Sequence, residues 1–366
     1  MKRLVLAGSG HAQLALLRAL AARPLSDVRA VLVAPSRHQP YSAMVAGWVA
    51  GHFALNHVLI DLLPLCQAAN VRLVLGRIIG MDAERRRVAC SSGEQLDYDV
   101  MSLDVGSETD ISWLQTMGDR LICVRPLDLF IARWQEVIRE AQDKRGFRLI
   151  VVGGGASGVE VAFAASYAFA ARGLDAQVHL VASEAGVLSD YAPSVATRVR
   201  RLAGRFGVCI HDEMAVGAAE GVLLSSGEQL RADWVIAATG ARPPGWLGLS
   251  KMSLDKAGYV AVDAAHRSIS HSQIFAAGDV CSREDVNLQR SGVHAVHAGA
   301  VLAHNVIAAL TGEAMSVYRP RRRSLYLLSC GRRYAVASWG SFSAEGAWVW
   351  HWKRWIDERF IGALHG

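Results

Sequence analysis

The sequence predicts an α/β protein of two Rossmann-like units, one inserted in the other, followed by a short C-terminal cap. Three observations predict it: two glycine-rich turns that each follow an apolar strand and open a helix, a hexapeptide SSGEQL that occurs twice, and near-equal separations between the copies of both features. Leu4 to Ala7 runs into GSGHAQ, Gly8 to Gln13, and the run from Phe147 enters GGGASG, Gly153 to Gly158. SSGEQLDYDVMSLDVGS, Ser91 to Ser107, aligns with SSGEQLRADWVIAATGA, Ser225 to Ala241, which matches Asp99 with Asp233 and Gly106 with Gly240. Two unlike features repeated at similar distances point to one folding unit present twice.

In the first unit the turn keeps two glycines of GxGxxG and carries Gln13 in place of the third, which is expected to push the helix away from its strand. Val28 to Val33 is its second strand, a short β-branched run after a helical segment. In the second unit Gly153 allows the tight turn, Gly155 lets a pyrophosphate approach the backbone, and Gly158 lets helix pack close to strand, so this turn predicts dinucleotide binding at a helix N-terminus. Ala176 to Val181 is the matching second strand. Both units read as parallel βαβ, with ligands expected outside the carboxyl ends of the strands. IFAAGDV, Ile274 to Val280, reads as a buried strand ending in Gly-Asp. Asp279 there can accept hydrogen bonds from a chain of hydroxyls, or serve simply as a turn or helix cap. In the tail, Trp348, Trp352, Trp355, Ile356, Phe360 and Leu364 recur at helical spacing on one face, with Lys353, Arg354, Asp357 and Glu358 mainly on the other. Such a face can dock on its own domain, meet a dimer partner, or lie in a membrane interface.

At 366 residues the chain can bury large cores without staples. Its six cysteines, Cys66, Cys90, Cys123, Cys209, Cys281 and Cys330, form no CxxC and no cluster with histidine at metal-ligand spacing, which argues for a reduced compartment and against a metal site or a dithiol relay. The first strand begins almost at Met1, the apolar stretch from Val161 to Ala171 is too short to span a bilayer, and cytoplasmic residence without a transmembrane segment is expected. The net charge of +6 is modest, and no nucleic-acid signature accompanies it. Arg319, Arg321, Arg322 and Arg323 concentrate part of it in what reads as a solvated loop or strand edge, with phosphates or an anionic membrane surface as the alternative.

GSGHAQ, PYSAM (Pro40 to Met44), GGGASGVE (Gly153 to Glu160), AATGARP (Ala237 to Pro243) and IFAAGDV together resemble the two-dinucleotide flavoprotein superfamily, which includes type II NADH dehydrogenases, sulfide:quinone reductases and ferredoxin or rubredoxin reductases. HQPYSAMVAGWVAGHF, IDLLPL, YDVMSLDVGS and WVWHWKRWIDERF resemble more closely the pyridine nucleotide-disulfide oxidoreductase-like domain associated with selenide, water dikinase. The resemblance covers essentially the whole chain. It implies FAD at the first unit and NADH or NADPH at the second. For FAD it implies Gly8, Gly10, His11 and Ala12 at the pyrophosphate, Ser36, Pro40, Tyr41 and Gly106 along the cleft, and Gly278 and Asp279 at the ribityl chain. It also implies a helix beginning in SGVHAVHAG, Ser291 to Gly299, with Val293 in its first turn at the flavin. For the nicotinamide nucleotide it implies Gly153, Gly155, Ala156, Ser157, Gly158, Glu184 and Gly240, with Glu160 near the junction of the two rings or else an exposed helix carboxylate. Ala34 and Ala182 stand where an acid normally grips the ribose of each nucleotide, so ribose recognition must differ.

The domain reading places the FAD-binding part at residues 1–109 and 245–314, the nicotinamide domain at 110–244 and the cap at 315–366. The expected activity is hydride transfer from NAD(P)H to flavin, then electron passage to a small quinone-like or sulfur- or selenium-containing acceptor. Two other readings stay open: a flavoprotein that oxidises sulfide or selenide without NAD(P), for which Cys330 is the thiol to nominate against its plainer role as a buried hydrophobe, and a non-catalytic flavin-bound partner of selenophosphate synthase. Homodimer formation and peripheral contact with the inner membrane belong to the same set of expectations.

Overall fold

In the computed structural model, which describes residues 1–286, 288, 290, 292–321, 323–364 and the backbone of 365, both glycine turns join a strand to a helix as the sequence predicts. Chain order begins with β1 (Lys2–Ala7), α1 (His11–Ala22), β2 (Val28–Ala34), α2 (Ser42–Val49), β3 (Val71–Leu75) and β4 (Val100–Leu103). A short β5 (Glu108–Thr109) leads into β6 (Leu121–Cys123), α3 (Leu127–Asp143), β7 (Phe147–Val152), α4 (Ala156–Ala171), β8 (Ala176–Ala182), α5 (Pro193–Phe206), β9 (Val208–Asp212) and β10 (Trp234–Ala237). The chain returns through β11 (Ala241–Arg242) to β12 (Ile274–Ala276) and α6 (Gly292–Thr311). The cap is β13 (Leu325–Ser329), β14 (Ala335–Trp339), β15 (Phe342–Gly346) and α7 (Ala347–His365).

The two five-stranded sheets are copies of one design. The first runs β12-β4-β1-β2-β3 and the second β6-β10-β7-β8-β9, with parallel pairing throughout. In each, the chain leaves the central strand toward one edge and comes back on its other side, so the order reverses beside β1 and beside β7, where a ligand crevice forms at the carboxyl ends. The repeated aspartates have matching jobs at the opposite end. Asp99 accepts the Arg3 N–H at 2.7 Å and Asp233 accepts the Arg148 N–H at 2.7 Å, each fixing the entry of its central strand. β5 pairs antiparallel with β11, so the two passages between the sheets run side by side.

One apolar core runs through both units and includes Leu4, Leu16, Val49, Phe163, Phe169 and Leu302. Fully burying a side chain of this size contributes about 1.5–3 kcal/mol. α6 has 20 residues and is long and apolar enough to cross a membrane, although no single unbroken apolar run in the sequence reaches that length. Here it is a core helix. Ala298, Leu302 and Val306 are buried, Gly299 meets Ala12 so closely that an added methyl would sit 3.0 Å from its Cα, and the buried Asn305 amide donates to the carbonyls of Ala265 and Ser316. The strand expected over Ile274 to Val280 ends at Ala276, because Gly278 takes φ +74° and starts a 3₁₀ turn over Gly278–Val280.

The cap sheet lies between α5 and α7. Strand alternation turns Ser343 and Glu345 toward α5, where Arg198 and Arg201 hold them, and turns Ala335, Ala337 and Ala344 toward Val349 and Trp350 of α7. The face of α7 that packs inward is not the one its pattern suggests. Trp348, Trp352 and Trp355 are 58%, 39% and 56% exposed, whereas Lys353 and Asp357 are buried. The reason is local: the Lys353 ammonium donates to the Ala43 carbonyl at 2.6 Å and to Asp357 at 2.7 Å, so an ion pair is satisfied inside while the indoles face out. Ile361 and Leu364 are buried on that inner face, and Ile356 and Phe360 are half-buried beside it.

Candidate functional site

Each cradle is built on a glycine that tolerates no side chain. Gly8 has φ +88° and Gly153 φ +133°; a methyl on the first would overlap the Asp104 carbonyl oxygen and on the second the Ala238 carbonyl oxygen. Asp104 and Ala238 are the aligned residues of the internal repeat. The second glycines then diverge: Gly155 faces open space, whereas Gly10 faces the Asp104 carboxyl group. The third positions diverge with them. A methyl on Gly158 would overlap the Gly153 carbonyl, so α4 lies tight on β7, while the first unit has room for the whole Gln13 side chain. Gln13 is fully buried, donates to the Ser102 carbonyl at 2.8 Å and accepts from the Ser102 hydroxyl at 3.1 Å. It replaces close helix–strand contact by hydrogen bonds.

Both cradles open on one cleft of ≈ 1690 Å³. That exceeds the roughly 300–1,000 Å³ typical of a site for one small ligand. Of the residues nominated from sequence, Gly8, Gly10, His11, Ser36, Pro40, Tyr41, Gly106, Gly278, Asp279 and Val293 line it from the first unit, and Gly153, Gly155, Ala156, Ser157, Glu160 and Gly240 from the second. Three nominated residues lie outside the lining. Ala12 is buried and its N–H is bonded to Asp104; Gly158 is buried by its contact with the strand; Glu184 is exposed beyond the cleft, whose wall there is Ser183 and Gly186. Ala34 and Ala182 end β2 and β8 where the ribose acids would stand. The first turn of α6, with Gly292, Val293 and Val296, also lines the cleft, while Ser291 lies outside the described residues. Arg321 and Arg323 are exposed but reach the rim, and Arg322 is likewise outside the described residues.

Four charged residues here, Arg125, Asp104, Lys353 and Asp357, carry no local sequence signal for a site. Arg125 pairs with Asp279 at 3.4 Å, and the Ser107 hydroxyl donates to the same carboxylate at 3.5 Å, so Asp279 is a cleft residue held by partners from the other side. Asp104 accepts the N–H groups of Ala12 at 2.8 Å and Gln13 at 3.3 Å, and burial pushes its carboxyl up to about 7 against those bonds. Lys353 and Asp357 form the pair already described, and the Tyr41 hydroxyl donates to Asp357 at 3.3 Å while its ring stacks on Phe360 at 4.9 Å. Glu160 is half-buried rather than exposed. It accepts the Ser329 N–H at 2.8 Å, and burial raises its carboxyl above the usual range against the pull of the Lys353 charge and that bond. Burial likewise lowers His11 to about 4, so it faces the cleft as a neutral ring.

Residues 2–301 match the family model described as pyridine nucleotide-disulphide oxidoreductase. The chain belongs to this family. Among its curated relatives are ferroptosis suppressor protein 1 of Taeniopygia guttata, 26% identical over 71% of this chain and 69% of that protein, and the ferredoxin–NAD(+) reductase component of the anthranilate 1,2-dioxygenase system of Burkholderia cepacia, 27% identical over 75% and 67%. The crystal structure of sulfide:quinone oxidoreductase from Aquifex aeolicus superposes with a TM-score of 0.81 over 100% of this chain and 91% of that one, at 14% identity, a likeness of fold.

As a member of the family the protein is an oxidoreductase that works with FAD and a nicotinamide nucleotide, and its residues fit both. Two turns that exclude any Cβ bring helix N-termini to the switch point of a parallel sheet, and the second leaves open space at Gly155 for a pyrophosphate. All six cysteines are free. Among the described residues, no group of three His, Cys, Asp or Glu side chains is placed to hold a metal ion.

Proposed function

We propose that the protein passes a hydride from NAD(P)H at the second cradle to FAD at the first, and the electrons onward to a small quinone-like acceptor admitted beneath the cap. One observation carries this reading: both cradles share a single cleft, and beside the charged Glu160, Lys353 and Asp357 its cap side presents an apolar and aromatic face of Tyr41, Leu325, Leu327, Trp339, Ile356 and Phe360. Bound FAD supplies the chemistry, a ring that accepts hydride and gives up electrons. The chain supplies position and field. Backbone N–H groups of the α4 first turn would hold one pyrophosphate and the head of α1 the other, and Asp279 with Arg125 would offer acceptor and donor to a polyhydroxyl chain. The first turn of α6, which lines the cleft, would offer its positive end to negative charge on a bound ring. Glu160, holding its proton to higher pH than an ordinary carboxyl and facing Lys353, is placed to give a proton to an acceptor under the cap.

A sulfur or selenium acceptor is less well served. Cys330 is fully buried, lies outside the cleft lining, and burial raises its thiol pKa, the opposite of what a nucleophilic thiol needs. Steady-state turnover with NADH and NADPH against a short-chain quinone, sulfite and selenite tests the choice. Quinone reduction is expected; turnover confined to the sulfur or selenium compounds would overturn it.

The outside of the cap favours acceptor delivery from a membrane interface. Trp339 and Phe342, 52% and 61% exposed, leave the sheet on the side that carries α7, whose outward face adds Trp348, Trp352 and Trp355 beside Arg354 and Arg359. Exposed indoles among arginines suit the headgroup region of an anionic bilayer. Flotation with vesicles containing anionic lipid is the check. Protein that stays at the bottom of the gradient would dismiss this location and leave the chemistry standing.

A further inference from the structure

The two cradles differ at one point that the repeat makes plain. The head of α4 has the small Ala238 beneath it and open space in front of Gly155, whereas the head of α1 holds the carboxyl group of Asp104. Two glycines close on that carboxyl, since a methyl on Gly10 would overlap it and one on Gly278 would lie 2.5 Å from its Oδ1, and a third, Gly8, abuts the backbone carbonyl of the same residue. The Ala12 and Gln13 N–H groups, which a phosphate at this helix would otherwise use, already point at its Oδ2. We infer that Asp104 and the cofactor pyrophosphate compete for the positive end of α1, so that FAD binding is coupled to proton uptake by the Asp104 carboxyl. This rests on the assignment of FAD to the first cradle.

Two anionic phosphates brought to the same helix end raise the cost of a carboxylate there, and its proton is the charge that can change. Three other titratable groups face it from the elements packed around it. His11, from α1, is lowered to about 4 mainly by burial; Cys281, after β12, is raised by burial; Asp279 is ion-paired with Arg125. Burial, helped by the Asp279 charge and opposed by the Ala12 and Gln13 N–H groups, has already brought Asp104 to about 7, so the coupling falls in the physiological range.

The experiment follows FAD released from the holoprotein on dilution, by the fluorescence of free flavin, from pH 6 to about 9. The dissociation constant is expected to be level below pH 7 and to rise by up to about tenfold per pH unit above it, as uptake of one proton requires. Asp104→Asn keeps an acceptor for the Ala12 and Gln13 N–H groups and is expected to flatten the profile. A level wild-type profile, or the same slope in both proteins, overturns the coupling. On the wild type alone, release at pH 8 in weakly buffered solution is expected to free about one proton per flavin, and no proton would also overturn it. Protein that holds no FAD at any pH would instead sink the cofactor assignment, and this inference with it.

Discussion

Replacing Lys353 by methionine tests whether the cap is clamped over the cleft by a buried charge. Lys353 and Asp357 side chains are 10% and 7% exposed, and the ammonium bridges Asp357 at 2.7 Å and the Ala43 carbonyl at 2.6 Å. Methionine matches the length of the stem but leaves the Asp357 carboxylate buried with the Tyr41 hydroxyl at 3.3 Å and no cation. Removing one partner of such a pair costs about 3–5 kcal/mol, whereas removing both charges is often close to neutral. Lys353→Met is therefore expected to lose about 3–5 kcal/mol, and Lys353→Met with Asp357→Asn to recover most of it, since asparagine still accepts from Tyr41. Five of the ten tryptophans, Trp339, Trp348, Trp350, Trp352 and Trp355, lie in the cap, so tryptophan fluorescence during denaturant unfolding reports on it. A single variant within about 1 kcal/mol of wild type, or a double variant no more stable than the single, would refute the clamp.

Gly158→Ala forces a methyl into the Gly153 carbonyl and is expected to weaken nicotinamide binding by about tenfold or more, leaving flavin content unchanged; nucleotide affinity from the amplitude of flavin reduction measures it. Cys330→Ser is expected to leave turnover with every acceptor within about twofold of wild type, and a thiol reagent at pH 8 to leave Cys330 of the folded protein unmodified, as mass mapping would show. Asp104 also makes stability depend on pH in the ligand-free protein. Its folded value of about 7 lies above the unfolded value near ~4, so its contribution is fully present below pH ~4 and is lost as pH rises to about 7. Asp104→Asn is thus expected to gain melting temperature relative to wild type at pH 8 but not at pH 4, and equal shifts at both would count against the buried carboxyl.

The duplicated unit was legible because glycines at fixed offsets, a repeated hexapeptide and β-branched runs are local signals, and they led to both sheets and to both cradles of the cleft. Gly8, Gly153, Asp279 and Tyr41 all line it. What escaped depends on partners distant in sequence. Asp104 lies in MSLDVGS, aligned with Ala238, and the paired exchange of Ala for Asp there and Gly for Gln at Gln13 was the signal available; only the fold shows both side chains meeting the head of α1. Arg125 meets Asp279 across the cleft, and nothing near either residue announces the other. The tail pattern misled for a physical reason: helical periodicity assigns lysine and aspartate to water, but a pair that satisfies itself and a free carbonyl can be buried, which turns the indoles outward. Glu184 was nominated by its offset from β8, and the chain turns it out to solvent before the cleft wall resumes at Gly186.

Hydride can pass only if two nucleotides meet in one cleft, and anaerobic titration of the purified holoprotein with NADH and with NADPH tests that most directly. One of the two is expected to bleach the visible absorbance of a bound flavin at a ratio of about one nucleotide per flavin. A flavin that stays oxidised with an excess of both would contradict the second cradle's role, and with it the proposed direction of electron flow.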